Sequence, residues 1–121
     1  MATKKHDPNC LFCKIVEGNE PSSKVLELED FIIIKNKFPK APVHVLVLDK
    51  EHNQKEDTMS GKLSKSEYWT KIMDAAWQGI VRLGLDKTGY KIVNNGAGYN
   101  HFEHQHLHIM GGSKTEPGGE S

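Results

Sequence analysis

Histidine recurs at every second position in His104-Gln105-His106-Leu107-His108, just ahead of Ile109, Met110 and Gly111-Gly112. A two-residue period becomes a single face only in an extended strand, where alternate side chains project to opposite sides. The segment therefore specifies a β-strand with three imidazoles on one face and Gln105, Leu107 and Ile109 on the other. A purification tag or a solvated His-rich stretch would be consecutive or terminal, whereas this run alternates with apolar residues. Imidazole has an unperturbed pKa of about 6.5, so near neutral pH it serves as nucleophile, proton shuttle, phosphate donor or metal ligand. Three of them cost β-propensity and buried polarity, which is tolerated where chemistry or a metal compensates.

The size of the chain, 121 residues and 13.6 kDa, supports one domain with a modest core. Lys plus Arg and Asp plus Glu balance at 16 each. No global basic field then advertises nucleic acid or an anionic membrane, and any anionic ligand must be held by a local site. Apolar runs such as Phe31-Ile32-Ile33-Ile34 fall far short of the roughly 20 residues that a membrane span requires. The first residues carry Lys4 and Lys5 without the apolar stretch of a signal peptide, so a cytoplasmic protein is expected. Cys10-Leu11-Phe12-Cys13 suits that compartment better as metal ligands or a redox pair than as a structural disulfide.

Residues 1–9 and 113–121 are polar and expected to be disordered, leaving a domain over 10–112. Helical spacing over 10–17, stopped at Gly18-Asn19, predicts a short helix. The β-branched segments 25–28 and 31–35, turned at Glu29-Asp30, predict a hairpin. Pro39 and Pro42 place a loop over 36–42, and a strand follows over 43–49. The polar stretch 53–65 reads as a mobile loop. Ser64 with Glu67 forms a capping box for one long amphipathic helix carrying Trp69, Ile72, Met73, Ala76, Ile80 and Leu83, ending near Gly84. Its Trp and Met residues read as core or dimer filler rather than as a cofactor box. Strands over 90–94 and 101–110 flank a turn at 95–98. The order predicts an α+β domain with a mostly antiparallel five-stranded sheet, one long helix and one short helix.

The spaced histidines with Gly-Gly, Asn36-x-x-Pro39-x-x-Pro42-x-His44 upstream and Cys10-x-x-Cys13 near the start resemble the histidine triad (HIT) family. The similarity covers roughly residues 10–112. The family motif is His-φ-His-φ-His-φ-φ with φ apolar, and His104 to Met110 match it except that Gln105 takes the first φ slot. The resemblance implies a nucleotide-binding enzyme whose middle histidine attacks an α-phosphate and becomes covalently nucleotidylated before water releases it. By position that nucleophile is His106. It further implies that His108 donates to phosphate oxygens, that His44 orients the constellation, that Asn94 contacts the phosphate and that Asn36 binds the ribose hydroxyls. Ile15, Phe31, Ile33 and Leu46 could sandwich a purine.

The Hint branch of the family carries Gly-Gln-Ser or Gly-Gln-Thr before the triad, with the hydroxyl helping to protonate the leaving group. The aligned residues here are Tyr99, Asn100 and His101, so His101 could supply that proton as a stronger acid than Ser, with Asn100 beside the nucleotide. In members that keep the Cys pair, zinc is held by two Cys, a His after the third strand and the first triad His. The matching set is Cys10, Cys13, His52 and His104, a filled tetrahedral and therefore structural site. A competing set places His101 where His104 stands. The reading implied is a zinc-containing hydrolase of small purine nucleotide phosphoramidates, such as an adenosine phosphoramidate. It is expected to work as a homodimer, with no nucleic acid or membrane partner. Alternatives are a dinucleoside polyphosphate hydrolase and a nucleotide-binding module that has lost turnover.

Overall fold

Strand alternation sorts the apolar residues of this chain into two layers on either side of one sheet. In the computed structural model, which describes residues 6–60, 62–63, 65–100 and 102–113, the elements are α1 (Leu11–Val16), β1 (Lys24–Glu27), β2 (Phe31–Lys35), β3 (Val43–Asp49), α2 (Asp57–Ser60), α3 (Lys65–Arg82), β4 (Tyr90–Val93) and β5 (His106–Gly111). All five strands form one antiparallel sheet in the order β1-β2-β3-β5-β4. The α+β architecture read from the sequence is the one observed, with α2 as an additional short helix.

One sheet face carries Phe31, Ile33, Val45, Val47, Leu107 and Ile109, which pack against Ile72, Ala76 and Ile80 of α3. The other carries Ile32, Ile34, Leu46 and Leu48, covered by Phe12 and Ile15 of α1. Each fully buried side chain of this size contributes about 1.5–3 kcal/mol. At Gly79 a Cβ would stand 2.6 Å from Cδ1 of Ile33, so the missing side chain is what lets α3 lie so close to β2. A Cβ on Gly111 would meet the carbonyl oxygen of Gly89 at 2.6 Å, and backbone cannot swing aside as a side chain can. Gly84 holds φ at +72° where α3 ends.

Several sequence expectations need correction. The last strand begins at His106, not at residue 101. Residues 104 and 105 pair instead with the segment after β3: Gln54 and His104 form an isolated bridge, and the Gln105 N–H donates to the Asn53 carbonyl at 2.7 Å. That same segment was expected to be a mobile loop over 53–65, yet it buries Lys55, Asp57 and Thr58 and forms α2. Its polar composition concealed the burial because hydrogen bonds satisfy the polar groups. Asp57 caps its own turn by accepting from the Gln54 N–H at 2.8 Å, and the Thr58 hydroxyl donates to the Lys55 carbonyl at 2.7 Å.

Ser64 of the expected capping box, residues 1–5 and 114–121 of the expected disordered ends, and His101 lie outside the described residues. No helix among the described residues is long and apolar enough to cross a membrane. Of the helix residues read as core or dimer filler, Trp69 is half-buried against the α3 layer, whereas Met73 and Trp77 are exposed.

Candidate active site and metal cluster

The register of β3 on β5 decides which side chains meet. His44 pairs with Met110, Leu46 with His108 and Leu48 with His106, so His44, His106 and His108 share the face covered by α1. The Lys40 N–H donates to Nδ1 of His44 at 3.0 Å, which puts the ring proton on Nε2. That Nε2–H donates to Nδ1 of His108 at 2.9 Å. His108 is thereby left with its own proton on Nε2, as a donor. Asn36 Nδ2 lies 3.2 Å from His44 Nε2, where two donors meet, so its amide protons remain available to another acceptor. Its Oδ1 accepts from the Phe38 N–H at 3.0 Å, which fixes the amide.

His106 is oriented differently. Its Nδ1–H donates to the His104 carbonyl at 2.8 Å, so Nε2 carries the lone pair. Burial, reinforced by the charge of Lys55, lowers its pKa to about 4, and burial with the neighbouring His44 does the same for His108. Both rings are neutral at working pH. Phe12 packs edge-on against His106 with centroids 5.1 Å apart, shielding it from α1's side. Phe102 approaches it at 6.4 Å. A cavity of about 1610 Å³ opens over these rings, lined by His44, His106 and His108 together with Asn36, Ile15, Ile34 and Leu46. Small-molecule pockets usually measure roughly 300–1,000 Å³, so this cavity has room for an extended ligand.

Three expected contacts are placed otherwise. Phe31 and Ile33 cannot sandwich a base, because strand parity turns them into the α3 layer, whereas Ile34 joins the expected Ile15 and Leu46 in the cavity. Asn94 Oδ1 accepts from Lys55 Nζ at 2.9 Å and from Gln105 Nε2 at 3.2 Å, while its neighbour Asn95 lines the cavity. Asn100 holds its own loop, accepting from the Gly98 N–H at 3.0 Å and donating to the Phe102 carbonyl at 2.9 Å.

Sequence reasoning missed Lys55. Its side chain is fully buried, and Nζ donates to the His106 carbonyl at 2.7 Å as well as to Asn94. Burial lowers its pKa to about 8. Nearby, burial lifts Asp49 to about 7, although Tyr68 donates to both of its carboxylate oxygens at 2.9 Å. A lysine in a stretch without periodicity carried no signal that it turns inward. Gln105, the departure from the apolar motif, was the visible half of this polar network.

Cys10, Cys13, His52 and His104 bring their donor atoms within 4.8 Å of one another. Nδ1 of His104 is 3.4 Å from each cysteine Sγ, and Nδ1 of His52 is 3.2 Å from Sγ of Cys13. A tetrahedral zinc with bonds of about 2.0–2.3 Å sets its donors about 3.3–3.8 Å apart, so these atoms fit the ion. The His104 Nε2–H donates to the Asp49 carbonyl at 2.6 Å, presenting the unprotonated Nδ1 to the cluster as metal-bound histidines require. Burial, reinforced by the neighbouring Cys10, pushes Cys13 up to about 11, and a coordinated cation would reverse this by holding the thiolate. The cluster could therefore bind a metal ion, consistent with zinc.

Comparison with known proteins assigns the chain. The HIT domain model matches residues 17–115. The chain belongs to the HIT family. A HIT-like protein of Chlamydia muridarum is 39% identical over 105 residues, covering 84% of this chain and 80% of that protein. A histidine triad protein from Clostridium difficile superposes with a TM-score of 0.81 at 30% identity, covering 93% of this chain and 97% of that one. A HIT family hydrolase from Legionella pneumophila Philadelphia 1 gives a TM-score of 0.77 at 33% identity, over 92% and 100% of the two chains. The HIT span begins after Cys10 and Cys13, so the metal cluster joins residues inside it to a pair that precedes it.

Proposed function

We propose that this HIT protein is a nucleotide hydrolase that cleaves small phosphoramidates, such as adenosine 5′-phosphoramidate, through a covalent nucleotidyl-His106. The carrying observation is the fixed tautomer of His106, whose Nδ1–H is held by the His104 carbonyl while Nε2 keeps its lone pair on a ring lining the cavity. Nε2 attacks the α-phosphorus, and the bond to the leaving nitrogen or oxygen breaks. The leaving atom takes the electron pair and a proton from solvent water, and the proton shed later by the attacking water restores the balance. Water then adds to phosphorus, Nε2 departs with its pair, and the nucleoside monophosphate leaves. His108 Nε2–H faces the charge that develops on the phosphoryl oxygens, held in that tautomer by His44 and the Lys40 N–H. Asn36 offers its amide to the ribose diol, and Ile15, Ile34 and Leu46 receive the purine.

Zinc held by Cys10, Cys13, His52 and His104 supplies a cross-link between α1, the segment after β3 and the approach to β5, not a reacting group. A homodimer is part of the same reading. Met73, Trp77 and Val81 of α3 recur every four residues as an exposed apolar stripe beside Tyr90 of the edge strand β4. The unpaired thiols suit a reducing, cytoplasmic setting. The Asn36-Lys37-Phe38 loop lines the cavity, which favours a dinucleoside polyphosphate as the second substrate class.

Substitution His106→Ala tests the proposal directly. Turnover of adenosine phosphoramidate is expected to vanish while calorimetry still shows nucleotide binding. Joint loss of binding and turnover in a variant that keeps its metal would mean that His106 is scaffold.

A further inference from the structure

One buried cation beside the triad has no part in the reaction described above. Lys55 is fully buried, and its Nζ donates to the His106 carbonyl at 2.7 Å and to Asn94 Oδ1 at 2.9 Å. Both acceptors are neutral oxygens, so neither cancels the charge. The carboxylate that feels it, Asp49, is hydrogen-bonded to Tyr68 and Asn53 instead. With its pKa at about 8, Lys55 is mostly an ammonium at neutral pH.

The charge is also held still. The Lys55 N–H donates to the Glu103 carbonyl at 2.8 Å, its own carbonyl accepts from the Thr58 hydroxyl at 2.7 Å, and Nζ grips the neighbouring chain again at His106. One residue therefore brackets the stretch that contains the His104 carbonyl, the group that keeps a proton on Nδ1 of His106. Of the charges that bear on the His106 ring, that of Lys55 is the largest, and it opposes positive charge there. It opposes positive charge on His108 as well.

That opposition counts once the ring becomes positive. Nδ1 keeps its hydrogen on the His104 carbonyl, so a bond from Nε2 to phosphorus turns the ring into a cation. In the second step a P–O bond to water forms, the P–Nε2 bond breaks, and its electron pair returns to Nε2. The ring is then neutral again, and the proton of the attacking water goes to solvent. A fixed like charge raises the energy of the cationic ring above that of the neutral one, which opposes the first step and favours the second. We infer that Lys55 is a positioning residue that acts through the His106 ring to shorten the life of the nucleotidyl-enzyme, so that nucleotide passes to water and does not accumulate on the protein. This inference rests on the nucleotidyl-transfer reading above and assigns a residue to its second step.

The test uses the full-length, metal-loaded protein and its Lys55→Met and Lys55→Gln variants, each mixed with adenosine 5′-phosphoramidate and quenched at intervals. Mass spectrometry follows the rise of the adenylyl adduct and, after rapid removal of substrate, its decay. Methionine fills the site with an apolar chain of similar length, and glutamine keeps a neutral donor on a slightly shorter one. Loss of the charge is expected to slow adduct breakdown about tenfold in both variants, the order expected of one buried unit charge. Adduct formation should be as fast as in the unmodified protein or faster, so the adduct fraction at steady state rises. A residue that only held the strand would slow both steps when replaced. Parallel slowing of formation and breakdown therefore overturns the inference, as does breakdown at the unmodified rate. A glutamine variant that matches the unmodified protein while the methionine variant does not would assign the effect to the hydrogen bond, and overturns it too. Absence of adduct from all three proteins overturns the reaction, and the inference with it.

Discussion

At the scale of single residues, the site works by tautomer control. Two backbone groups, the His104 carbonyl and the Lys40 N–H, decide which ring nitrogen keeps a lone pair and which carries a proton, and the proposed reading makes the first a nucleophile and the second a donor. His108→Ala removes the donor while leaving the nucleophile, so kcat should fall about 10²–10³-fold, the usual cost of losing one preorganised donor, with a smaller change in KM. Steady-state kinetics checks the split. Lys55 makes a separate prediction about stability. Burial holds its pKa at about 8, below its ordinary 10.5, so from about pH 8 to 10.5 the unfolded chain binds more protons than the folded one. Over that window this lysine makes the unfolding free energy rise with pH, and below it the buried charge is a cost. Denaturant unfolding of the protein and of Lys55→Met across this range should show the wild type gaining on the variant as pH rises. A constant difference would mean that Lys55 is not desolvated.

Among the elements, legibility followed periodicity. The hairpin, β3 and α3 were readable because β-branched runs and three- and four-residue apolar steps report their faces directly. The start of β5 was not. His104 fits the two-residue rhythm, but its ring is held by the Asp49 carbonyl and the cysteine cluster, and its backbone pairs with Gln54 instead of a strand. Long-range hydrogen bonds of this kind leave no local trace. Nor does Lys55, whose partners lie 39 and 51 residues away. Strand parity could have removed Phe31 and Ile33 from the cavity over the histidines, because they alternate with Ile32 and Ile34. The glycine at the end of β5 carries a prediction at this scale. Gly111→Ala drives a Cβ into the Gly89 carbonyl and should cost about 1–3 kcal/mol, whereas at Gly79→Ala the opposing atom is the tip of Ile33, which can rotate. Thermal melts of the two variants should rank them in that order.

Across the whole molecule, the sheet divides labour between its faces. The α3 face stores most of the apolar core, and the α1 face holds the triad, the cavity and the metal cluster. Metal binding should therefore stabilise the fold as well as shape the site, because the four ligands come from three separated segments. About one zinc per chain is expected by elemental analysis, and Cys13→Ser should lower both that content and the melting temperature. Metal-free protein from a reducing preparation would contradict it. The exposed stripe of Met73, Trp77 and Val81 predicts a dimer that Trp77→Glu disrupts, as read by light scattering across a concentration series. The most direct test of the account is mass spectrometry of the protein quenched during turnover of a slow adenosine phosphoramidate. An added adenylyl mass on the peptide holding the triad, localised to His106, is the predicted result. Hydrolysis with no adduct under any quench, or an adduct on a different residue, would contradict it.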